Sequence, residues 1–499
     1  MKGEVQRSHT TLSQWLSFIA VVLASAVYAS AWTLPNAVLP QIQGGLSVSM
    51  DEVSWAVTAS VVAGAIGIPL TPWLSQRFGA KRLMMATLGT FSTASAMVGT
   101  VSTFEELIIW RVIAAFAGAP ILALSQSVIL ETFEVSKRSL AFSLWSIGIT
   151  SGWVFSPAVG AWLADLVSWR LAFFSIVPFG FIAFFFCSIF MTPSLAQRPA
   201  RFDWTGFLTL VIALTMIQLL VNRGHRLDWF HSTTIITFSV VGLAAFYLYV
   251  IHTLHCRTPF LNWAVFRDRN LVIGLCITLI YAAIGLIPMV LLPMMLTQLR
   301  GVEVITLGVL SIPRGVAQII GLIFAGLLVN RIDPRYLLIS GLVVFSASSW
   351  YMAHYNMNIG VWDIFWPTVS QGLSLAFIWI PLLALIYATI DPLLRTYAAT
   401  LLSLTYSLSS SLGVALAVTI LSRSMQINHE EIGALMVPLR KVFHFENGFD
   451  YWHFDSLTSL LLIEHEMTLQ AYTLGYGNVF FALVICSLVP IPFVMLMKR

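Results

Sequence analysis

Residues 51–101 read DEVSWAVTASVVAGAIGIPLTPWLSQRFGAKRLMMATLGTFSTASAMVGTV. Two apolar runs flank one short basic turn, Arg77-Phe78-Gly79-Ala80-Lys81-Arg82. A helix needs about 20 apolar residues to cross a bilayer, and each run is close to that length. Gly79 lets the chain reverse tightly, because glycine, with no Cβ, enters the region of positive φ without strain. The stretch therefore reads as two membrane helices joined by a cationic hairpin.

The same pattern fills the chain on both sides. Spans are expected near 14–38, 51–75, 82–101, 105–131, 139–163, 171–191, 205–221, 234–252, 271–297, 304–330, 336–354, 363–390, 396–423 and 470–497, fourteen in all. The composition agrees: 58% of residues are hydrophobic and 10% charged, with a mean hydropathy of +0.87. Soluble domains carry roughly 25% charged residues. A chain of 499 residues this apolar needs lipid as its solvent. Barrel strands alternate over about ten residues, which these runs do not, so the class is an all-α polytopic membrane protein.

The apolar run from Trp15 to Leu39 is too long for a signal-peptide core of roughly 7–15 residues and reads as a retained first span. With the N-terminus placed in the cytoplasm, most of the 26 Lys and Arg fall on the cytoplasmic side. Fourteen spans return the C-terminus to that side. The net charge of +4 is scattered between spans and forms no nucleic-acid patch. The outside segment near 424–469 is the one long connection. In it, Leu457 to Met467 reads as a short amphipathic helix on the membrane surface, either a docking surface or a plain interfacial helix.

A second basic turn, Leu328-Val329-Asn330-Arg331-Ile332-Asp333-Pro334-Arg335, matches the first in position between its spans. If spans 7 and 8 are an inserted pair, each turn joins the second and third helices of a six-helix half. That is the layout of a transporter built from two related bundles. The expected division is an N-terminal bundle at 1–191, two extra helices with linkers at 192–270, and a C-terminal bundle at 271–499.

Arg77, Gly79 and Lys81 resemble the signature turn of the major facilitator superfamily. Arg111-Val112-Ile113, Leu124-Ser125-Gln126-Ser127 and Lys137-Arg138-Ser139 resemble its fourth-helix region. Gly152…Ser156-Pro157-Ala158-Val159-Gly160 is similar to its antiporter motif. Trp169-Arg170, Arg223-Gly224, Asp228-Trp229 and Trp366-Pro367 are similar to segments of the fourteen-helix drug:proton antiporter branch, EmrB-type subunits in particular. The likeness implies export of drug-like compounds from the inner (plasma) membrane in exchange for protons. A periplasmic membrane-fusion adaptor and an outer-membrane channel are the implied partners. The chain departs from the pattern at Pro72 and Gln76 in the turn, at Ala114-Ala115, at Tyr406, and at Ala31, where the branch carries Asp.

Charge inside a span is expensive, so Arg111 and Arg314 are candidates for transport or coupling. The bland alternative is that each ties two helices together through backbone carbonyls. Proton exchange asks for a carboxylate that titrates. Glu131, Asp51 and Glu52 are the candidates, at span ends, where plain interfacial charges also sit. Asn36, Gln126, Gln318, Gln371 and Tyr406 are candidate cavity residues, as is Gln218; helix-to-helix bonding is the alternative for each. Gly152, Pro157 and Gly160 equip the fifth span to bend and to pack closely.

His252-x-x-His255-Cys256 resembles a metal cluster but sits at a span end with no second cluster at ligand spacing, so no metal is expected there or at His444, His453 and His465, and the four cysteines form no framework. No phosphate-binding glycine loop occurs before a Lys-Ser/Thr pair, so ATP drive is not expected, and no cofactor is expected. An enzyme reading needs acids or histidines gathered at one membrane depth, and none are. A dedicated exporter of an anionic metabolite, such as a fatty acid or siderophore, stays open beside the drug exporter, since two arginines inside spans suit an anion.

Overall fold

The structure is a computed structural model and describes residues 12–192, 201–256, 259–302, 304–435 and 457–498. Every regular element among the described residues is a helix. The long ones are numbered here in chain order. In the first half they are α1 (Leu12–Ala37), α2 (Met50–Gly67, the 3-10 turn Ile68–Leu70 and Thr71–Phe78), α3 (Ala80–Val98), α4 (Phe104–Gly118 and Pro120–Thr132), α5 (Val135–Leu166) and α6 (Trp169–Phe190). A middle pair follows, α7 (Trp204–Gly224) and α8 (Thr233–His255). The second half holds α9 (Arg269–Arg300), α10 (Val304–Leu328), α11 (Pro334–Ala353), α12 (Val361–Thr389), α13 (Arg395–Leu435) and α14 (Leu457–Leu488).

Among the described residues, 12 helical stretches are long and apolar enough to cross a membrane. Helices α3 and α10 fall outside that criterion. The 19-residue α3 begins Ala80-Lys81-Arg82 and carries several Ser and Thr, and the 25-residue α10 is weighed only over its fully described part, Ile312–Leu328.

Local chemistry sets the ends. Ser49 with Glu52, and Thr103 with Glu106, close reciprocal caps at the starts of α2 and α4. Asp203, Asp268 and Asp333 cap α7, α9 and α11. Gly79 has φ 84°, and its N–H reaches Ser75 O at 2.9 Å, so the basic turn rests on the conformation glycine permits. Prolines lie inside helices at Pro157, Pro178, Pro288, Pro293, Pro367 and Pro381, where neighbouring helices shield the loosened backbone.

The packing repeats itself. In the first half α1 packs on α5 and α6, α2 on α4, and α3 on α4 and α6. In the second, α9 packs on α13 and α14, α10 on α12, and α11 on α12 and α14. Raising each label by eight turns one set of pairs into the other. Helices α7 and α8 pack on each other, and α7 leans on α2 and α13.

Small residues make the α1–α5 contact close. A side chain added at Gly152 would strike Ala26 O at 2.5 Å, and one at Gly160 would meet Leu34 at 3.0 Å. Ser156, between them, donates to Ser30 O at 2.8 Å. Helix α5 runs through Pro157 without a break.

One expected element is different. Leu457 to Met467 is not a separate surface helix but the first three turns of α14, and α13 runs on to Leu435. No proline or glycine lies between Met467 and Leu474 to end the helix, and Ile463 and Met467 are buried, with Met467 lying close to Gly433 of α13. Phe443, Phe445, Trp452, Phe454, His444 and His453 lie outside the described residues.

Candidate functional site

Two places bring candidate residues together. The first is a cavity of about 80 Å³ inside the N-terminal half, lined by Tyr28, Ala31, Trp32, Asn36, Ser60, Phe91, Ser95, Arg111 and Phe173, among others. It draws on α1, α2, α3, α4 and α6. Arg111 Nε donates to Ala56 O at 3.2 Å and to Ser60 Oγ at 3.1 Å, which ties α4 to α2. Its guanidinium carbon stands 5.9 Å from the Phe173 ring. Ala31 and Arg111 thus share one hollow.

The second place is an aromatic cluster where the halves meet. Trp153 of α5 stacks on Tyr406 of α13, ring centres 5.8 Å apart. Tyr281 stacks on Trp379 at 5.0 Å, and Tyr406 lies 6.2 and 6.1 Å from those two rings. Arg314 is within electrostatic reach of Tyr281 and Tyr406. It donates to Gly285 O at 2.5 Å, and its Nε is buried without a partner among the described residues.

Other candidates fall elsewhere. Gln126 is buried and accepts from Tyr387 O–H at 2.6 Å, so it joins the halves and does not line the cavity. Gln371 is buried between α12 and α11, its amide reaching Met352 Sδ at 3.3 Å. Gln218 accepts from Asn222 within α7. Gln318 is half-buried on α10. Arg77 lies over Trp73, 5.6 Å from the ring centre, and Lys81 lies in the first turn of α3.

The acids are peripheral. Asp51 pairs with Arg223 at 3.0 Å and Arg226 at 2.6 Å but is largely exposed. Glu52 serves the cap on Ser49. Glu131 is exposed at the end of α4. Among the described residues, no Asp or Glu is buried as a whole residue.

Sequence reasoning missed Asp203, which meets His252 at 2.8 Å, with Cys256 nearby. Its carboxylate is already occupied, accepting from Gly206 N at 2.9 Å and Phe260 N at 3.2 Å. Only its position just before a helical run hinted at a cap.

Direct bonds between the halves gather at the end that carries the basic turns. There Ser127 donates to Thr396 or the reverse at 3.0 Å, Gln76 to the Tyr397 hydroxyl at 3.2 Å, Arg395 to Leu130 O at 3.2 Å, and Asn330 to Ser136 O at 3.1 Å. Phe142 stacks flat on Tyr387 in the same region, 5.5 Å between centres. At the opposite end the link among the described residues is indirect. The end of α7 holds α2 through Arg223 and Asp51, and the turn between α7 and α8 holds α13 through Trp229 to Thr419 at 3.0 Å.

Two matched bundles, a hollow in one and a bonded seam at one end define a membrane transporter of the alternating-access kind. The chain belongs to the Major Facilitator Superfamily, whose family model matches residues 21–266. It is similar to multidrug export protein EmrB of Escherichia coli (strain K12), 30% identical over 84% of this chain and 82% of that protein. It is also similar to fatty acid resistance protein FarB of Neisseria gonorrhoeae, 25% identical over 97% and 96% of the two chains. In solved structures the fold resembles the human organic anion transporter MFSD10, with a TM-score of 0.64 and 12% identity over 97% of this chain and 100% of that one.

Proposed function

We propose that this chain is an efflux permease, not an enzyme, which moves apolar or amphipathic compounds out across the inner (plasma) membrane by alternating access. The termini are cytoplasmic, so the bonded seam with the basic turns faces the cytoplasm. The moving bodies are the bundles at 1–191 and 271–499, with 192–270 as a tie between them. The observation that carries this reading is the doubled packing pattern joined directly at one end. Bonds such as Gln126–Tyr387 break when the seam opens, and the halves then rock about the α5–α10 and α2–α13 contacts.

Relatives named for multidrug export support an outward direction and drug-like cargo. Proton exchange is part of the proposal. Asp51 and Glu52 already serve a salt bridge and a cap, which leaves Glu131, close to the charge of Arg395 at the seam, as the leading carboxylate. A periplasmic adaptor, and through it an outer-membrane channel, would meet the connection between α13 and α14.

Transport by proteoliposomes with and without a pH gradient tests the coupling, and equal efflux in both removes protons from the scheme. Deleting residues 440–456, which stops short of α14, is expected to abolish cross-linking to the adaptor while the protein stays in the membrane; unchanged cross-linking rules out that contact.

A further inference from the structure

The N-terminal half holds a positive charge in a hollow and does not neutralise it. Arginine has five N–H donors. In Arg111 the Nε–H is shared between Ala56 O and Ser60 Oγ. Among the described residues, no hydrogen bond or ion pair engages its two terminal nitrogens. No Asp or Glu among the described residues lines the cavity beside it. A cavity of about 80 Å³ has room for several waters, at roughly 10–15 Å³ each on this measure.

A charge at membrane depth is costly when alone, and the described residues supply no fixed partner, so the partner is diffusible. Its chemistry follows from the donors and the walls. Two terminal nitrogens of a guanidinium form a planar fork that matches the two oxygens of a carboxylate. A dianion would bring an uncompensated negative charge into a site with little water, at a steep desolvation cost. Tyr28, Trp32, Phe91 and Phe173 offer ring surface to an apolar remainder.

We propose that this cavity binds a monocarboxylate, with the acid group on the terminal nitrogens of Arg111 and the adjoining carbons against Trp32 and Phe91. The ligand replaces an internal acid as counter-ion, so Arg111 is neutralised only when the cavity is filled. The fate of the ligand as cargo rests on the export reading; its binding does not.

The test titrates octanoate, octanamide and chloride into the full chain in detergent, following tryptophan fluorescence. Comparison with Trp32→Phe isolates the cavity signal among the 17 tryptophans. Octanoate is expected to bind at least about tenfold more tightly than octanamide, the worth of a charge-assisted pair. Arg111→Gln brings octanoate down to the level of the amide, and Arg111→Lys restores part of the difference. Ala31→Asp leaves the arginine in place but puts a carboxylate in the wall, and it drives octanoate out.

Equal affinity for acid and amide, or octanoate binding unchanged in both Arg111→Gln and Ala31→Asp, overturns the proposal. Chloride competing as well as octanoate overturns the carboxylate preference. Octanoate that binds through Arg111 but is not carried by proteoliposomes supports the site and counts against export. Export that ignores Arg111→Gln does the reverse.

Discussion

Arg111 and Arg314 are the two arginines set well inside apolar helices, and the two halves hold them differently. Arg314 is clasped. It reaches Gly285 O on α9, and its own backbone carbonyl is packed against Gly372 of α12 beneath a cluster of rings. Arg111 is presented. Its inner nitrogen is fixed to α2, while the outer two face a hollow. The same side chain acts as a rivet where neighbours close around it and as a receptor where they stand back.

The largest test crowds the rivet. Gly372→Leu would drive a side chain into the Arg314 carbonyl, where only backbone can yield. It is expected to cost about 3 kcal/mol or more and to leave little monodisperse protein on size exclusion. The matching change at the other arginine, Ala115→Leu, fills cavity space and is expected to spare folding while weakening ligand binding.

Removing the charges comes next. Arg314→Gln deletes a charged bond to a backbone carbonyl and should cost about 1.5–3 kcal/mol in unfolding measurements. Arg111→Gln also loses bonds, to Ala56 O and Ser60 Oγ, but it removes a charge without a counter-ion at the same time, so it is expected to cost clearly less than Arg314→Gln. Equal losses in both variants would erase the distinction.

Tyr387→Phe is a smaller change, away from both arginines. It removes the bond to Gln126 and is expected to weaken the seam by about 1 kcal/mol, read as faster labelling of a cysteine placed at Ser127. The smallest effect is Asp51→Asn at the far end. Asp51 is exposed, so a slight fall in the thermal midpoint is expected, one that fades as salt is added.

Helix class and placement were legible because lipid imposes one simple rule on long runs, and Arg111 and Arg314 stood out because they broke that rule. Contacts were less legible. Gln126 reads as a cavity polar group, yet its partner Tyr387 lies 261 residues away and hydropathy does not report the pairing. The start of α14 looked amphipathic enough for a surface helix, but amphipathicity arises equally when one side packs on another helix. Ala31 is an ordinary alanine by composition; only resemblance marked it, and only the fold put it in the same hollow as Arg111.

Helix α13 has 41 residues, or roughly 60 Å at 1.5 Å per residue, about twice the thickness of a hydrocarbon core. With α14 packed along it, the excess forms a stiff arm standing off the face opposite the basic turns. Both strokes of that arm are rooted in the C-terminal half. A force on its tip therefore acts with leverage on the whole of that half, and a load fastened there swings whenever the half turns.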